Sequence, residues 1–501
     1  MIPDEARRAR GTAWTVAALV LLRLIAGAFT PLTFDEAYYW TWSKHLAGGY
    51  YDHPPMVAMV IRLGTLIAGD TEIGVRLISI LLGLPMSWAV WRTARILFDD
   101  ARIAASATIF LNATLMVSVG TIIITPDAPL MVASSFVLFF LAKVLETGRG
   151  VWWLAVGTAV GCALLSKYTA LFFGAEILLW LLLVKDQRRW LASPWPYLGG
   201  IVAFAIFLPV VLWNADHQWV SFIKQLGRAR VDGLTLKYLV EIVPAQIGFA
   251  TPFVFILGAF GLYALARRPS VNPANAALIN VSVWVIFVYF LWHSLHGRAE
   301  ANWFGPIYPA FAIAGAFAAW GTTWSALNQR TVNFSKRWAL PVGIALFAAL
   351  IIQANTGIFT GFRRDATVRP VGIGWPQLAS EIETIRIAQK ASCVLAGDYG
   401  TTSWLMFYLP KGTCVAQRTD RYRWINVAEP DARLLKGKML MVGEAGGDVI
   451  FRDAYARTEK IADLTRKRSG VPIETIEIDL LEGAKGDALD RSPPPELKKS
   501  R

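Results

Sequence analysis

The feature that most constrains this chain is a series of apolar stretches, each near the length of a membrane helix, that recurs from Ala13 to Asn355. A bilayer core demands about 20 consecutive apolar residues of any helix that crosses it. It also demands that every backbone amide be satisfied inside that helix. Charged residues make up only 17% of the chain and hydrophobic ones 55%, whereas soluble chains carry about 25% charged. These observations predict a polytopic α-helical membrane protein with about eleven spans. The expected limits are Ala13–Thr30, Ile73–Arg92, Ala101–Val119, Ala128–Leu145, Trp152–Leu165, Thr169–Val184, Tyr197–Trp213, Ile247–Ala266, Ala276–Trp292, Pro306–Trp324 and Ala339–Ala354. The basic lead "RRARG" before the first apolar run has the look of a signal peptide. That run ends in "GAFTPLTFDEAYYW" without a clear small-residue cleavage site, so it reads as an uncleaved span.

Basic residues set the expected orientation. With the N-terminus in the cytoplasm, alternate loops read "RRAR", "WRTARILFDDAR", "KVLETGRG", "KDQRRW", "ARRPS" and "NQRTVNFSKR", all short and basic. The opposite loops are longer and aromatic, and all five histidines fall among them. The net charge of +13 is then a topology signal, and nothing calls for a nucleic-acid partner. The expected setting is a bacterial inner membrane with the C-terminal part in the periplasm. Residues 1–356 form a transmembrane module whose outer loop, 31–72, is rich in acids and aromatics. Residues 357–482 turn more polar. The stretch "CVLAGDYGTTSWLMFYLP" reads as strand, Gly turn and helix, and "GTCVAQ" and "KMLMVGE" as further strands, which predicts a small periplasmic α/β domain. Cys393 and Cys414 both lie in it, where an oxidising compartment permits a disulfide, and Cys162 reads as a packed span residue. The Pro-rich, charged end, 483–501, is expected to be disordered.

Ionisable groups at membrane depth are costly and so point to function. Four clusters stand on the expected outer side. The first is the loop with Asp35-Glu36 and "YYDHPP", which holds Asp52 and His53. The second is "TIIITPDAPL", where Asp127 opens a span. The third is Lys167-Tyr168. The fourth is "HSLHGRAEANWFGPIYP", with His296, Arg298, Glu300 and Asn302. Each has a plain structural reading. Asp127 caps a helix, Lys167 snorkels to headgroups, and Arg298 pairs with Glu300. The functional reading has them converge on one site. Sugar transfer from a lipid phosphate needs a carboxylate to deprotonate the acceptor hydroxyl and cations to offset charge on the leaving phosphate.

The order "FDEAYYWTWSKHLAGGYYDHPP", "TPDAPL", "ALLSKYTAL", "HGRAEANWFGPIYPA" and "GDYGTTSWLMFYLP" resembles the GT-C glycosyltransferases. It is closest to the protein O-mannosyltransferase-like branch that includes the lipid A aminoarabinose and galacturonate transferases. The resemblance covers nearly the whole chain. It implies that Asp35 is the general base and that Glu36 completes the acidic pair. It also implies that "YYDHPP" stands where aminoarabinose transferases carry an acid that binds metal and a lysine that meets the lipid phosphate. Asp52 is then the candidate metal ligand, for a divalent ion, and no other cofactor is implied. Lys167, Arg298, His53 and Tyr168 are the candidate donor-phosphate residues, and Asp52, Asp127, Glu300, Asn302 and His296 the substrate-binding ones. The amphipathic stretch "PPMVAMVIRLGTLIAG" is expected to lie along the membrane and shape the lipid entrance.

The function expected is an inverting glycosyltransferase. It takes a sugar from a polyprenyl-phosphate donor to a lipid or protein acceptor, such as lipid A or another glycolipid. The alternatives are a flippase of lipid-linked sugars and a non-catalytic envelope-assembly protein. A flippase would want internal repeats and charges on both membrane faces, and neither is seen.

Overall fold

The computed structural model describes residues 3–228, 233–267, 271–359, 365, 367, 370–444 and 454–493. Among them, six helices are long and apolar enough to cross a membrane: Asp4–Phe29, Glu72–Phe98, Asp127–Thr147, Pro194–Asp216, Pro273–His293 and Ala326–Thr356. Two bent pairs raise the number to eight if each is one span. Tyr168–Leu183 turns by 119° into Lys185–Ala192, and Lys237–Ala250 by 99° into Pro252–Arg267. The chain is thus a multi-pass membrane protein. Three expected spans fall on 13-residue helices, Ala101–Ala113, Trp152–Leu164 and Tyr308–Trp320. A helix of that length rises only about 20 Å, which is why the structure counts fewer full-length spans than the hydropathy pattern predicts. Two of the three are set deep among other helices. The helix Tyr308–Trp320 is buried over nearly its whole length. The helix Trp152–Leu164 crosses Pro194–Asp216 so closely that a Cβ on Gly157 would stand 2.0 Å from the Gly199 carbonyl oxygen, the small-residue contact by which membrane helices approach.

Past the last long helix, a helix Trp375–Ala388 leads into a five-stranded sheet of order β2-β1-β3-β5-β4. The strands are β1 (Cys393–Ala396), β2 (Cys414–Gln417), β3 (Met439–Glu444), β4 (Tyr455–Arg468) and β5 (Val471–Ala484). β1 runs parallel to β2 and β3, and β5 is antiparallel to β3 and β4. The helix Tyr399–Tyr408 is the β1–β2 crossover, as a parallel pair requires. Cys393 and Cys414 face each other in the β1–β2 register and are bonded. The hairpin β4–β5 was not expected. Neither is residue 483 the start of a free tail: β5 runs to Ala484, Ala488 and Leu489 are buried, and the Asp490 amide donates to the Arg418 carbonyl at 2.8 Å. Residues 494–501 lie outside the described residues.

Alternate residues of β1, β3 and β5, among them Val394, Ala396, Leu440, Val442 and Ile478, turn one face of the sheet toward the helices. They join one apolar core with Leu32, Tyr38 and Trp42 of the 31–72 loop. The sheet is therefore packed onto the loop at one end of the helical bundle, where Asp35 stands.

Candidate active site

The loop helix Phe34–Lys44 starts with a capping box, legible as "TFDE". Thr33 accepts from the Glu36 amide, and the Glu36 carboxylate accepts from the Thr33 amide. Two orphan donors of the first turn are thereby satisfied. The C-terminal domain grips the same turn through backbone bonds on both sides. The Phe34 amide donates to the Pro370 carbonyl at 3.1 Å and the Gly372 amide to the Leu32 carbonyl at 2.9 Å. The Trp404 indole also donates to that Leu32 carbonyl, at 3.0 Å. A side chain at Gly372 would collide with both, its Cβ lying 2.6 Å from the Leu32 oxygen and 2.7 Å from Trp404 Nε1.

Within this clamped turn the two acids part company. Glu36 is sealed: Arg76 Nε and Nη2 each donate to it at 2.6 Å, and both side chains have no exposed surface. The Ile124 amide adds a fourth donor at 3.3 Å. Its whole hydrogen-bonding capacity is spent on structure, which corrects the expectation that it shares the chemistry. Asp35 is half-buried, and Tyr399 of the crossover helix donates to its Oδ1 at 3.1 Å. Burial pushes the Asp35 carboxyl up to about 6. The Tyr399 bond and the Arg423 charge work against that rise, and the Asp52 and Glu36 charges add to it. A base poised near neutrality is what proton abstraction at physiological pH wants.

Asp52 is buried beside it and fully engaged. Lys224 donates to Oδ1 at 2.5 Å, while Tyr38 and Arg423 donate to Oδ2 at 2.8 and 3.0 Å. Burial alone would raise this carboxyl, but the Lys224 and Arg423 charges overcome it and hold Asp52 well below the usual carboxylate range. Lys224 lies 3.6 Å from the centre of the Tyr51 ring, and the Arg423 guanidinium 4.5 Å from that of Tyr399. Arg423 also donates to Asp420 at 2.5 Å, so two cations and two carboxylates meet against a wall of aromatic rings. This is a poor metal site, because cations already occupy both oxygens. Among the described residues no group of three or more His, Cys, Asp or Glu side chains is placed to hold a metal ion.

The third acid, Asp127, opens the helix Asp127–Thr147 with its side chain buried. Lys167 donates to both its oxygens, at 2.7 and 2.9 Å, and Asn302 donates at 2.6 Å. Lys167 is therefore buried rather than snorkelling. The three acids act on one phenol: burial, then the charges of Asp35, Asp52, Tyr399 and Asp127, push the Tyr39 phenol up.

Other expected residues stand apart. Arg298 is exposed, 3.6 Å from Glu300 and 3.9 Å from Glu241, in the plain surface pairing. His296 is half-buried, its Nδ1 3.0 Å from the Trp292 carbonyl. Neither Arg298, Glu300 nor His296 joins the buried cluster, and the placing of Arg298 as a phosphate cation is corrected. Tyr168 bonds to Ser221 at 2.8 Å, and the His53 ring lies 6.3 Å from that of Tyr39. The residues that sequence reasoning missed are Tyr38, Tyr39, Arg76, Lys224, Tyr399 and Arg423. Tyr38 and Tyr39 stood in the quoted loop, Lys224 is a lone cation in "SFIKQL", and Arg423 lies in "RYRW". No local pattern ties the last two to Asp52.

Comparison with known proteins adds likenesses of the whole chain. Residues 52–213 match the family model of dolichyl-phosphate-mannose-protein mannosyltransferases. Over 384 residues the chain is 27% identical to the lipid A galacturonosyltransferase RgtD of Rhizobium johnstonii, a match covering 70% of this chain and 80% of that protein. The chain is a glycosyltransferase. Its fold is that of ArnT from Cupriavidus metallidurans bound to undecaprenyl phosphate, with a TM-score of 0.64 at 20% identity over 97% of this chain and 100% of that one. It is also 26% identical over 291 residues to the lipopolysaccharide core galacturonosyltransferase RgtA of the same Rhizobium, covering 55% of this chain and 56% of that one. The flippase and assembly-protein alternatives give way to a transferase.

Proposed function

We propose that this glycosyltransferase moves a sugar from a polyprenyl-phosphate donor to a lipid acceptor, with inversion at the anomeric carbon and with Asp35 as general base. The acceptor oxygen attacks the anomeric carbon and its proton passes to Asp35. The bond from that carbon to the phosphate oxygen breaks, and its electron pair leaves with the polyprenyl phosphate. Lys224 and Arg423 beside Asp52, with Lys167 beside Asp127, are the cations that offset the charge on that phosphate. The names of the relatives favour a uronic acid as the sugar and lipid A or lipopolysaccharide core as the acceptor.

The observation that carries this reading is the pairing of opposite environments in one place. A carboxylate raised to about 6 stands next to a buried carboxylate that holds two cations. An apolar cavity of about 330 Å³ lies between Lys237–Arg267 and Pro273–Phe311, lined by residues such as Phe255, Leu262, Trp284 and Phe287. Gln246 and Tyr308 line it as well, and Gln246 donates to the Ala301 carbonyl next to Asn302, the partner of Asp127. A prenyl chain berthed there would bring its phosphate toward Lys167. In this reading the short buried helices complete eleven crossings, and the sheet domain lies in the periplasm. The Cys393–Cys414 bond supports that side, since disulfides persist in oxidising compartments.

The test is transfer by the purified protein of ¹⁴C-galacturonic acid from undecaprenyl phosphate to lipid A, with product stereochemistry read by NMR. A labelled lipid A with inverted anomeric configuration supports the reading. Retention of configuration would refute the single displacement.

A further inference from the structure

The proposed chemistry places the base in the membrane module, yet the hydrogen bond on that base comes from the C-terminal domain. Tyr399 is the first residue of the crossover helix Tyr399–Tyr408, whose N-cap is Asp398. Its hydroxyl reaches Asp35 Oδ1. Its ring is held by three neighbours from two elements, the helix Phe34–Lys44 and the segment Arg421–Trp424. Phe34 meets it edge-on at 5.6 Å, Tyr38 lies at 5.3 Å, and the Arg423 guanidinium covers it at 4.5 Å. The next residue, Gly400, is so near Phe34 that a Cβ there would lie 3.2 Å from the Phe34 Cβ. The turn that follows Thr33 and the helix that follows Asp398 are thus locked face to face, and the Asp35–Tyr399 bond spans the join.

We propose that Tyr399 is a positioning residue for Asp35: its hydroxyl fixes Oδ1, leaves Oδ2 to meet the acceptor hydroxyl, and makes docking of the C-terminal domain a condition of catalysis. The inference rests on Asp35 being the base. A carboxylate with one oxygen tethered keeps a single approach direction, and orientation of this kind is a large part of what an active site supplies. Arg423 extends the device. It stacks on Tyr399 while bonding to Asp52, so the domain that tethers the base also supplies one of the two cations beside it.

The bond has a consequence that a mere packing contact lacks. The charged and titratable groups facing Asp35 are Tyr399 from the crossover helix, Asp52 from the loop, Arg423 from the segment Arg421–Trp424, and Glu36 and Tyr39 from its own helix. Of these, Tyr399 is the one that hydrogen-bonds the ionised form, and such a bond holds the carboxyl's pKa down. Tyr399→Phe keeps the ring between Phe34, Tyr38 and Arg423 and removes only the donor. Asp35 should then titrate higher than about 6, by about one pH unit for a bond to a charged group. Turnover at neutral pH should fall about tenfold as the tether is lost.

The experiment uses the full chain in nanodiscs and two readouts. The first is the pH titration of the Asp35 carboxyl by infrared difference against Asp35→Asn, which needs no substrate. The second is the acid limb of kcat/KM for transfer from undecaprenyl-phosphate-¹⁴C-galacturonic acid to lipid A. For Tyr399→Phe, both midpoints should move up together, with an unchanged thermal midpoint. An unmoved infrared midpoint overturns the inference while leaving Asp35 as base. So does a loss of turnover that comes with lowered thermal stability and an unmoved limb. A moved infrared midpoint with an unmoved limb would instead remove Asp35 from the chemistry, and the positioning role with it.

Discussion

Replacing Glu36 by Gln should damage the fold far more than the chemistry. The Thr33 amide, the Ile124 amide and two nitrogens of Arg76 all donate to its two oxygens, and Glu36 and Arg76 are both without exposed surface. A glutamine offers one acceptor oxygen and turns two N–H groups toward donors. It also leaves the Arg76 guanidinium buried without its counter-charge. Breaking one side of a buried pair costs about 3–5 kcal/mol, a large share of the roughly 5–15 kcal/mol that stabilises a typical domain. Arg76 keeps its bonds to the Gly27 and Thr30 carbonyls, which places the loss toward the lower end of that range. The assay pairs a thermal unfolding scan in detergent with transfer normalised to the folded fraction. Glu36→Gln should lower the thermal midpoint and yield, while each folded molecule keeps turnover within about threefold of the parent. Arg76→Gln should cost a similar amount, and the double variant little more, because the two act as one unit. A Glu36→Gln protein that melts like the parent but has lost turnover a hundredfold would refute the argument and return Glu36 to the chemistry.

Three further outcomes follow from the same geometry. Arg298→Ala should leave transfer within about twofold of the parent, because its ion pairs are exposed and such pairs contribute little; a tenfold rise in donor KM would contradict this. Removing both Cys393 and Cys414 as alanines should lower stability by about 3 kcal/mol by loop-entropy arithmetic for their separation of 21 residues, seen as a lower midpoint that reductant no longer changes. The acid limb of kcat/KM should fall below about pH 6, since Asp35 is raised to about 6 and works only when ionised; a limb near pH 4 would assign it to an ordinary carboxylate.

Much of this was legible along the chain. Hydropathy located the helices because lipid exposure leaves a continuous apolar record, and Leu21, Ile25, Leu208 and Trp284 all face outward. Length was less legible, since a buried helix such as Tyr308–Trp320 is as apolar as a spanning one. Asp35 stood out by its place beside the first span. Glu36 could have been separated from it, because "TFDE" is a capping box that takes up the glutamate. The alternation in "IETIEIDLL" pointed to β5 and was overlooked among its charges. The partners of Asp52 and Asp35 were not legible. Lys224, Tyr399 and Arg423 lie 172 to 371 residues away in the chain; the helix Val220–Arg228 brings in the first, and the docking of the sheet domain on the loop brings in the other two. A single sequence records which groups are costly to bury. It does not record which other group makes the burial affordable.

The central claim is that Asp35 takes the acceptor proton. The most direct measurement is turnover of Asp35→Asn at saturating undecaprenyl-phosphate-¹⁴C-galacturonic acid with lipid A as acceptor. Asparagine keeps the size of the side chain and can still accept from Tyr399, so donor binding and the thermal midpoint should stay close to those of the parent. Turnover should fall by about 10²–10⁴-fold, the contribution of a positioned base. Near-normal turnover at saturating donor would contradict the account and pass the role to Asp127.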